Sequence, residues 1–168
     1  MKIILYSILI GFVISCGNPQ QNNSDVNEDL VANEFQGTVD ELSAVNGSTY
    51  LPIYSEVYQR DKTKKFKLTT TVSIRNTSAS DTLHIFKGEY YNSKGEMIKN
   101  YINKTLFLQP METVEIVISE SDVKGGVGAN FIFNWSTKSK TEPLFQALML
   151  STSSQQGISF LTSGVRID

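Results

Sequence analysis

The chain has 168 residues, with 17 acidic side chains against 15 basic ones and a net charge of −2. That balance supplies no cationic field for nucleic acid and no polybasic patch for anionic lipid, so recognition of either by charge is excluded. A single cysteine, Cys16, leaves no partner for a disulfide within the chain.

The N-terminus is read first because a targeting segment has to be set aside before a core is counted. Lys2 is followed by an apolar run from Ile3 to Ile14, interrupted only by Ser7 and Gly11. Spanning a bilayer takes ~20 apolar residues, so this run is too short to cross one and fits the h-region of a secretory signal. It closes on Val13-Ile14-Ser15-Cys16, an aliphatic residue three positions before the cysteine and a small one directly before it. The pattern resembles a bacterial lipobox. The resemblance implies cleavage of residues 1–15 and acylation of Cys16 with diacylglycerol and a further fatty chain, such as palmitate. One acyl chain holds a protein only marginally, whereas two or more anchor it stably. The expectation is a lipoprotein of the bacterial cell envelope, tethered to a membrane on its periplasmic face or at the cell surface. Removing Lys2 with the signal leaves a mature charge of −3.

Residues 16–47 are expected to hold the lipidated cysteine and a mostly flexible linker. Gly17 to Asn27 is polar and almost without apolar side chains, a composition unable to bury enough surface to order itself. Glu28 to Val45 carries Leu30, Val31, Phe35, Val39 and Leu42 at intervals of three and four, consistent with either a short amphipathic helix or a marginal strand. Asn46-Gly47-Ser48 reads as a turn, and the compact domain is placed at 48–168.

From Tyr50 the period becomes two. Tyr50, Tyr54 and Tyr58 fall on one face of an extended strand with Leu51, Ile53 and Val57 opposite, and such a tyrosine ladder is a candidate surface for a partner protein or a glycan. Phe66, Leu68, Thr70, Val72 and Ile74 alternate with polar residues, as in a half-buried strand. Turn formers at Asn76 to Asp81 separate it from a strand at Thr82 to Tyr91. Asn92-Ser93-Lys94-Gly95 reads as a hairpin loop with Gly95 at positive φ, and Glu96 to Ile102 returns. Pro110 marks a strand boundary between Leu106–Leu108 and Thr113–Ser119. Ala129–Trp135 alternates, with Phe131, Phe133 and Trp135 expected inside. Leu144–Leu150 is nearly all apolar, as in a strand covered on both faces. Ile158–Ile167 closes the chain, with a bulge expected at Ser163-Gly164. Short strands about ten residues apart with turn chemistry between them predict an all-β fold, an immunoglobulin-like antiparallel β-sandwich, with a small β-barrel as the alternative.

Most chemistry is excluded by count. His84 is the only histidine, so a Ser-His-Asp triad has to use it, and a blue-copper site, which needs two histidines and a cysteine, is not available. No nucleophile elbow or phosphate-binding Walker loop occurs. Glu120-Ser121-Asp122-Val123-Lys124-Gly125 starts like a calcium loop, but Lys124 and Phe131 stand where oxygen ligands are needed. Gly125-Gly126-Val127-Gly128 reads as a loop needing positive φ rather than as an anion nest. No cofactor and no metal site is expected.

Five blocks then carry a resemblance: Tyr50-Leu51-Pro52-Ile53-Tyr54-Ser55; Ser73-Ile74-Arg75-Asn76-Thr77; Tyr90-Tyr91; Glu120-Ser121-Asp122 with Gly125 to Phe131; and Gln156-Gly157-Ile158-Ser159-Phe160. In this order they resemble a bacterial family known as domain of unknown function thirty-one twenty-four, over about Tyr50 to Ile167. The resemblance implies a small domain of exported or lipid-anchored proteins and brings no activity, ligand or catalytic residue with it. Two functional readings follow. The first is a non-catalytic binding or assembly module using the Tyr50 strand or the Asp122–Asn130 loop. The second is an envelope hydrolase or metal-dependent enzyme with an atypical site assembled from Glu120, Asp122, Asn130 and His84.

Overall fold

The computed structural model describes residues 45–138, 140–152 and 157–168. The expected signal segment and linker, with Cys16 and residues 28–44, lie outside the described residues. The described chain is all-β and antiparallel: two sheets and a small ribbon. In chain order the strands are β1 Val45–Ile53, β2 Glu56–Tyr58, β3 Lys65–Lys67, β4 Thr69–Arg75, β5 Leu83–Tyr91, β6 Met97–Asn100, β7 Leu106–Leu108, β8 Thr113–Ile118, β9 Ala129–Thr137, β10 Leu144–Ser151, β11 Ile158–Ser163 and β12 Val165–Arg166. One sheet runs β12-β1-β9-β5-β6, with β7 also on β5; the other runs β11-β10-β4-β8; β2 and β3 pair alone. The sheets do not close into a barrel, and the predicted antiparallel sandwich is the fold.

Its core follows from the period of two. Val72 and Ile74 of β4, Val114, Ile116 and Ile118 of β8, and Phe145, Ala147 and Met149 of β10 face inward from one sheet. Leu51 and Ile53 of β1 and Phe131, Phe133 and Trp135 of β9 face them from the other, the last three buried as expected. Stacked rings link the two sheets, from Tyr90 to Phe131 at 5.2 Å, Phe131 to Phe133 at 5.1 Å and Phe133 to Phe145 at 4.8 Å between centroids. Each buried large apolar side chain contributes roughly 1.5–3 kcal/mol. Asn76 ties the loops at one end: its amide donates to the carbonyls of Asp81, Leu108 and Gln109, and its Oδ1 accepts from the Ser78 N–H.

Several local expectations are corrected. Asn46-Gly47-Ser48 is not a turn but part of β1, paired with Trp135 and its neighbours on β9. Gly47 is there because a Cβ would come within 2.2 Å of the Trp135 ring. The strand expected from Phe66 to Arg75 is two strands, broken at Leu68, whose N–H donates to the Ser55 carbonyl. Leu144–Leu150 is covered on one face only: Phe145, Ala147 and Met149 are buried, while Leu144, Leu148 and Leu150 are 37%, 41% and 37% exposed. Gly164 is not a bulge within one sheet. It is the corner at which the closing strand leaves β10 for β1, its N–H on the Phe145 carbonyl at 2.8 Å while Ile167 N–H donates to the Ser48 carbonyl. A Cβ at Gly164 would meet Thr49 Cγ2 at 2.6 Å, so the corner is closely packed.

Candidate functional site

The tyrosine ladder does not form. β1 ends at Ile53, and the chain turns at Tyr54-Ser55 into the β2–β3 ribbon. The turn is imposed from outside, by Ser55 and Glu56 N–H groups donating to the Gly126 carbonyl at 3.0 and 3.3 Å. Tyr50 is on the exposed face of β1, opposite Val165 and Ile132. Tyr54 packs on the core, edge-on to Phe160 at 5.7 Å. Tyr58 is on the ribbon, half exposed, with the Lys65 ammonium 5.7 Å from its ring centroid and Lys65 paired to Glu56 at 2.7 Å. Three tyrosines predicted to share a face thus occupy three environments.

What the sequence divided, the fold gathers at one end of the sandwich. The β2–β3 ribbon, the β5–β6 hairpin turn and the 119–128 loop are fastened to one another. The Gly125 carbonyl accepts from both the N–H and the hydroxyl of Ser93, at 3.1 and 3.0 Å. Beneath it the Tyr90 hydroxyl bonds Ser55 Oγ at 2.9 Å, fully buried. Burial pushes the Tyr90 phenol above its ordinary pKa, the Ser55 hydrogen bond opposes that, and the Asp122 charge adds to it. A Cβ on Gly125 would meet Tyr90 Oη at 2.0 Å and Ser55 Oγ at 2.7 Å, so only glycine lets the loop backbone lie this close. Of the glycines at 125, 126 and 128, only Gly126 has positive φ, at 72°. Gly95 has φ 79° as expected, in a turn where Asn92 Oδ1 accepts from the Lys94 and Glu96 N–H groups.

Asp122 is spent on its own loop: its Oδ1 accepts from the Lys124 N–H at 3.1 Å. Asn130 is on β9 opposite Tyr91 and Pro52, at the same end of the fold. His84 is not. It lies six residues before Tyr90 on β5, roughly 20 Å away along the strand, opposite Ser136 of β9 and edge-on to Phe107 at 5.3 Å. Desolvation, then the Lys138 charge, lowers its pKa. Glu120, Asp122 and His84 therefore do not converge, and among the described residues no group of three or more His, Cys, Asp or Glu is placed to hold a metal ion. Sequence reasoning missed Ser55, Tyr90 and Ser93, the residues that hold this loop end together. The glycines at 125 and 126 were the available signal, and their meaning depended on partners more than thirty residues away.

The arrangement can present side chains on a rigid rim, as loops on a sandwich end do. The ribbon carries Glu56, Tyr58 and Lys65, the hairpin turn Glu96 and the loop Asp122, an aromatic ring among mixed charges.

A comparison with curated proteins finds no match. Among solved structures, the crystal structure of Thermotoga maritima 1070 aligns at 10% identity over 71% of this chain and 92% of that chain, with a TM-score of 0.44. The profile of the family described as Protein of unknown function (DUF3124) matches residues 46–167, from the second residue of β1 to the end of the sandwich, and the chain belongs to that family.

Proposed function

We propose that the protein is a lipid-anchored envelope lipoprotein whose β-sandwich is a non-catalytic binding or assembly module. The observation that carries this is Val13-Ile14-Ser15-Cys16 closing an apolar run too short to span a bilayer. The polar Gly17–Asn27 spacer supports it, since a tethered domain needs reach. The contact surface is the fastened loop end, with Tyr58 and Asp122 on it, rather than the tyrosine ladder first expected. Binding asks only for a rigid, chemically mixed surface, which that end offers. Catalysis asks for convergent titratable groups, and His84 lies on β5 roughly 20 Å along the strand from the end that carries Glu120 and Asp122.

The test is metabolic labelling with a fatty-acid analogue followed by membrane fractionation. Wild type incorporates label and sediments with membranes, whereas Cys16→Ala does neither. Label in Cys16→Ala, or wild type recovered in the soluble fraction, overturns the anchor. In-cell crosslinking tests the contact surface: a partner adduct lost in Tyr58→Ala and Asp122→Ala supports it, and an adduct unchanged by both removes it.

A further inference from the structure

An open sandwich has edge strands, and an edge strand offers backbone N–H and C=O groups to any extended chain unless something blunts it. Most edges here are blunted. β2, β3 and β7 are three residues long and β12 two. β6 carries Lys99 and pairs with β5 through a register shift at Tyr90/Tyr91. β11 is tied at Thr162, whose Oγ1 donates to the Pro52 carbonyl at 2.6 Å, before the chain crosses at Gly164. β8 is different. Thr113–Ile118 holds no proline, lysine or arginine, pairs with β4 in one continuous register, and among the described residues has no strand on its other side.

The direction of its backbone groups follows from that register. The Asn76 N–H donates to the Glu112 carbonyl at 2.9 Å, and the alternation of an antiparallel ladder then makes 74–114, 72–116 and 70–118 the hydrogen-bonded pairs. Thr113, Glu115 and Val117 therefore turn N–H and C=O away from β4. Their side chains are the exposed ones of the strand, Val117 at 51%.

Charge selects what can pair there. Glu112, Glu115, Glu120 and Asp122 lie on or beside β8, and no lysine or arginine occurs from Thr105 to Val123. Arg75, opposite Thr113 on β4, offsets one of them. A second copy pairing antiparallel sets acid on acid: Glu115 on itself when centred there, Glu112 on Glu120 when centred on Ile116, Glu112 on Asp122 when centred on Val117. Like charges directly opposite are destabilising.

We propose that β8 accepts, as an added antiparallel strand, an extended segment of a partner protein that alternates Lys or Arg with aliphatic residues. The cations share the outer face with Glu115, and the aliphatic side chains continue the inward row of Val114, Ile116 and Ile118. This edge goes beyond the loop-end surface and needs neither Tyr58 nor the anchor on Cys16.

The probe is the end-blocked, fluorescent hexapeptide Lys-Val-Lys-Val-Lys-Val. It is titrated by anisotropy against the full-length protein in phosphatidylcholine nanodiscs, whose lipid carries no net charge. In the proposed pairing the backbone N–H groups of its lysines face β8 and those of its valines face away. Backbone N-methylation of the lysines therefore weakens binding roughly tenfold or more, whereas the same change at the valines leaves it within about twofold. Val117→Pro weakens binding of the unmodified peptide and keeps the fold, because the lost N–H is outside the β4 ladder. The methylated peptides are read on the wild-type protein, so they decide the matter even where that variant does not fold. Equal binding of the two methylated peptides, equal binding of Glu-Val-Glu-Val-Glu-Val, no saturable binding, or a β8-to-β8 crosslink between two copies overturns the proposal.

Discussion

Replacing Gly125 by alanine tests the fastening of the loop end. No left-handed backbone is involved at this position, so the cost is steric: the new methyl meets Tyr90 Oη at 2.0 Å, Ser55 Oγ at 2.7 Å and Ala129 Cβ at 2.8 Å. Ordinary contact requires a shift of more than 1 Å, and the ring of Tyr90 cannot give, being stacked on Phe131 at 5.2 Å. The loop must lift. Lifting breaks the Ser93 N–H and hydroxyl bonds to the Gly125 carbonyl, each contributing about 1 kcal/mol, and overpacking adds about 1–3 kcal/mol. A loss of roughly 3–5 kcal/mol is expected, read by urea unfolding with Trp135 fluorescence. Tyr90→Phe alone costs about 1 kcal/mol, because it strands the buried Ser55 hydroxyl. It also removes the nearest clashing atom, so in the double variant the Gly125→Ala penalty falls by at least ~1 kcal/mol. A Gly125→Ala change within ~0.5 kcal/mol of wild type, or strict additivity with Tyr90→Phe, refutes the reasoning.

Gly47→Ala pushes a methyl to within 2.2 Å of the Trp135 ring, which Arg166 covers from outside at 5.3 Å and Thr49 holds through Nε1 at 2.9 Å. Stability falls by roughly 2–4 kcal/mol and the single tryptophan emits further to the red; unchanged emission contradicts the packing. Burial lowers the His84 pKa first and Lys138 second, so the unfolded chain binds the proton more readily. The stability this group contributes is present above the unfolded value of about 6.5 and is lost as pH falls through the folded value. His84→Gln flattens the decline of urea midpoint on acidification from neutrality, and an undiminished decline assigns it to other groups. Met111 has φ 64° at the third position of a turn closed by Glu112 N–H to the Gln109 carbonyl, after Pro110. Met111→Gly relieves that conformation and raises stability by up to about 1 kcal/mol, less the entropy glycine gains when unfolded.

The strands were legible where one face is apolar and the other polar, because the period of two is itself the consequence of packing on one side. Val72 and Ile74 on β4 and Val114 to Ile118 on β8 show this plainly. Leu144–Leu150 misled because an aliphatic run carries no face information: Phe145, Ala147 and Met149 are buried while Leu144, Leu148 and Leu150 are exposed, with the same kind of side chain on both sides. Gly47 misled for a different reason. Glycine is read locally as freedom, but here it is space for an indole 88 positions later in the chain. The tyrosine ladder failed because a period of two assumes an unbroken strand, and the break at Tyr54-Ser55 is set by hydrogen bonds to Gly126 that no local pattern announces. The loop end was half visible, as glycines without their partners Tyr90, Ser55 and Ser93.

The central claim, a sandwich held at a membrane by its cysteine, is tested most directly by the intact mass of the mature chain extracted from membranes. The account predicts a polypeptide beginning at Cys16 and heavier than its sequence by diacylglycerol plus an amide-linked fatty acid. A chain beginning elsewhere, or one with an unmodified Cys16 thiol, contradicts it.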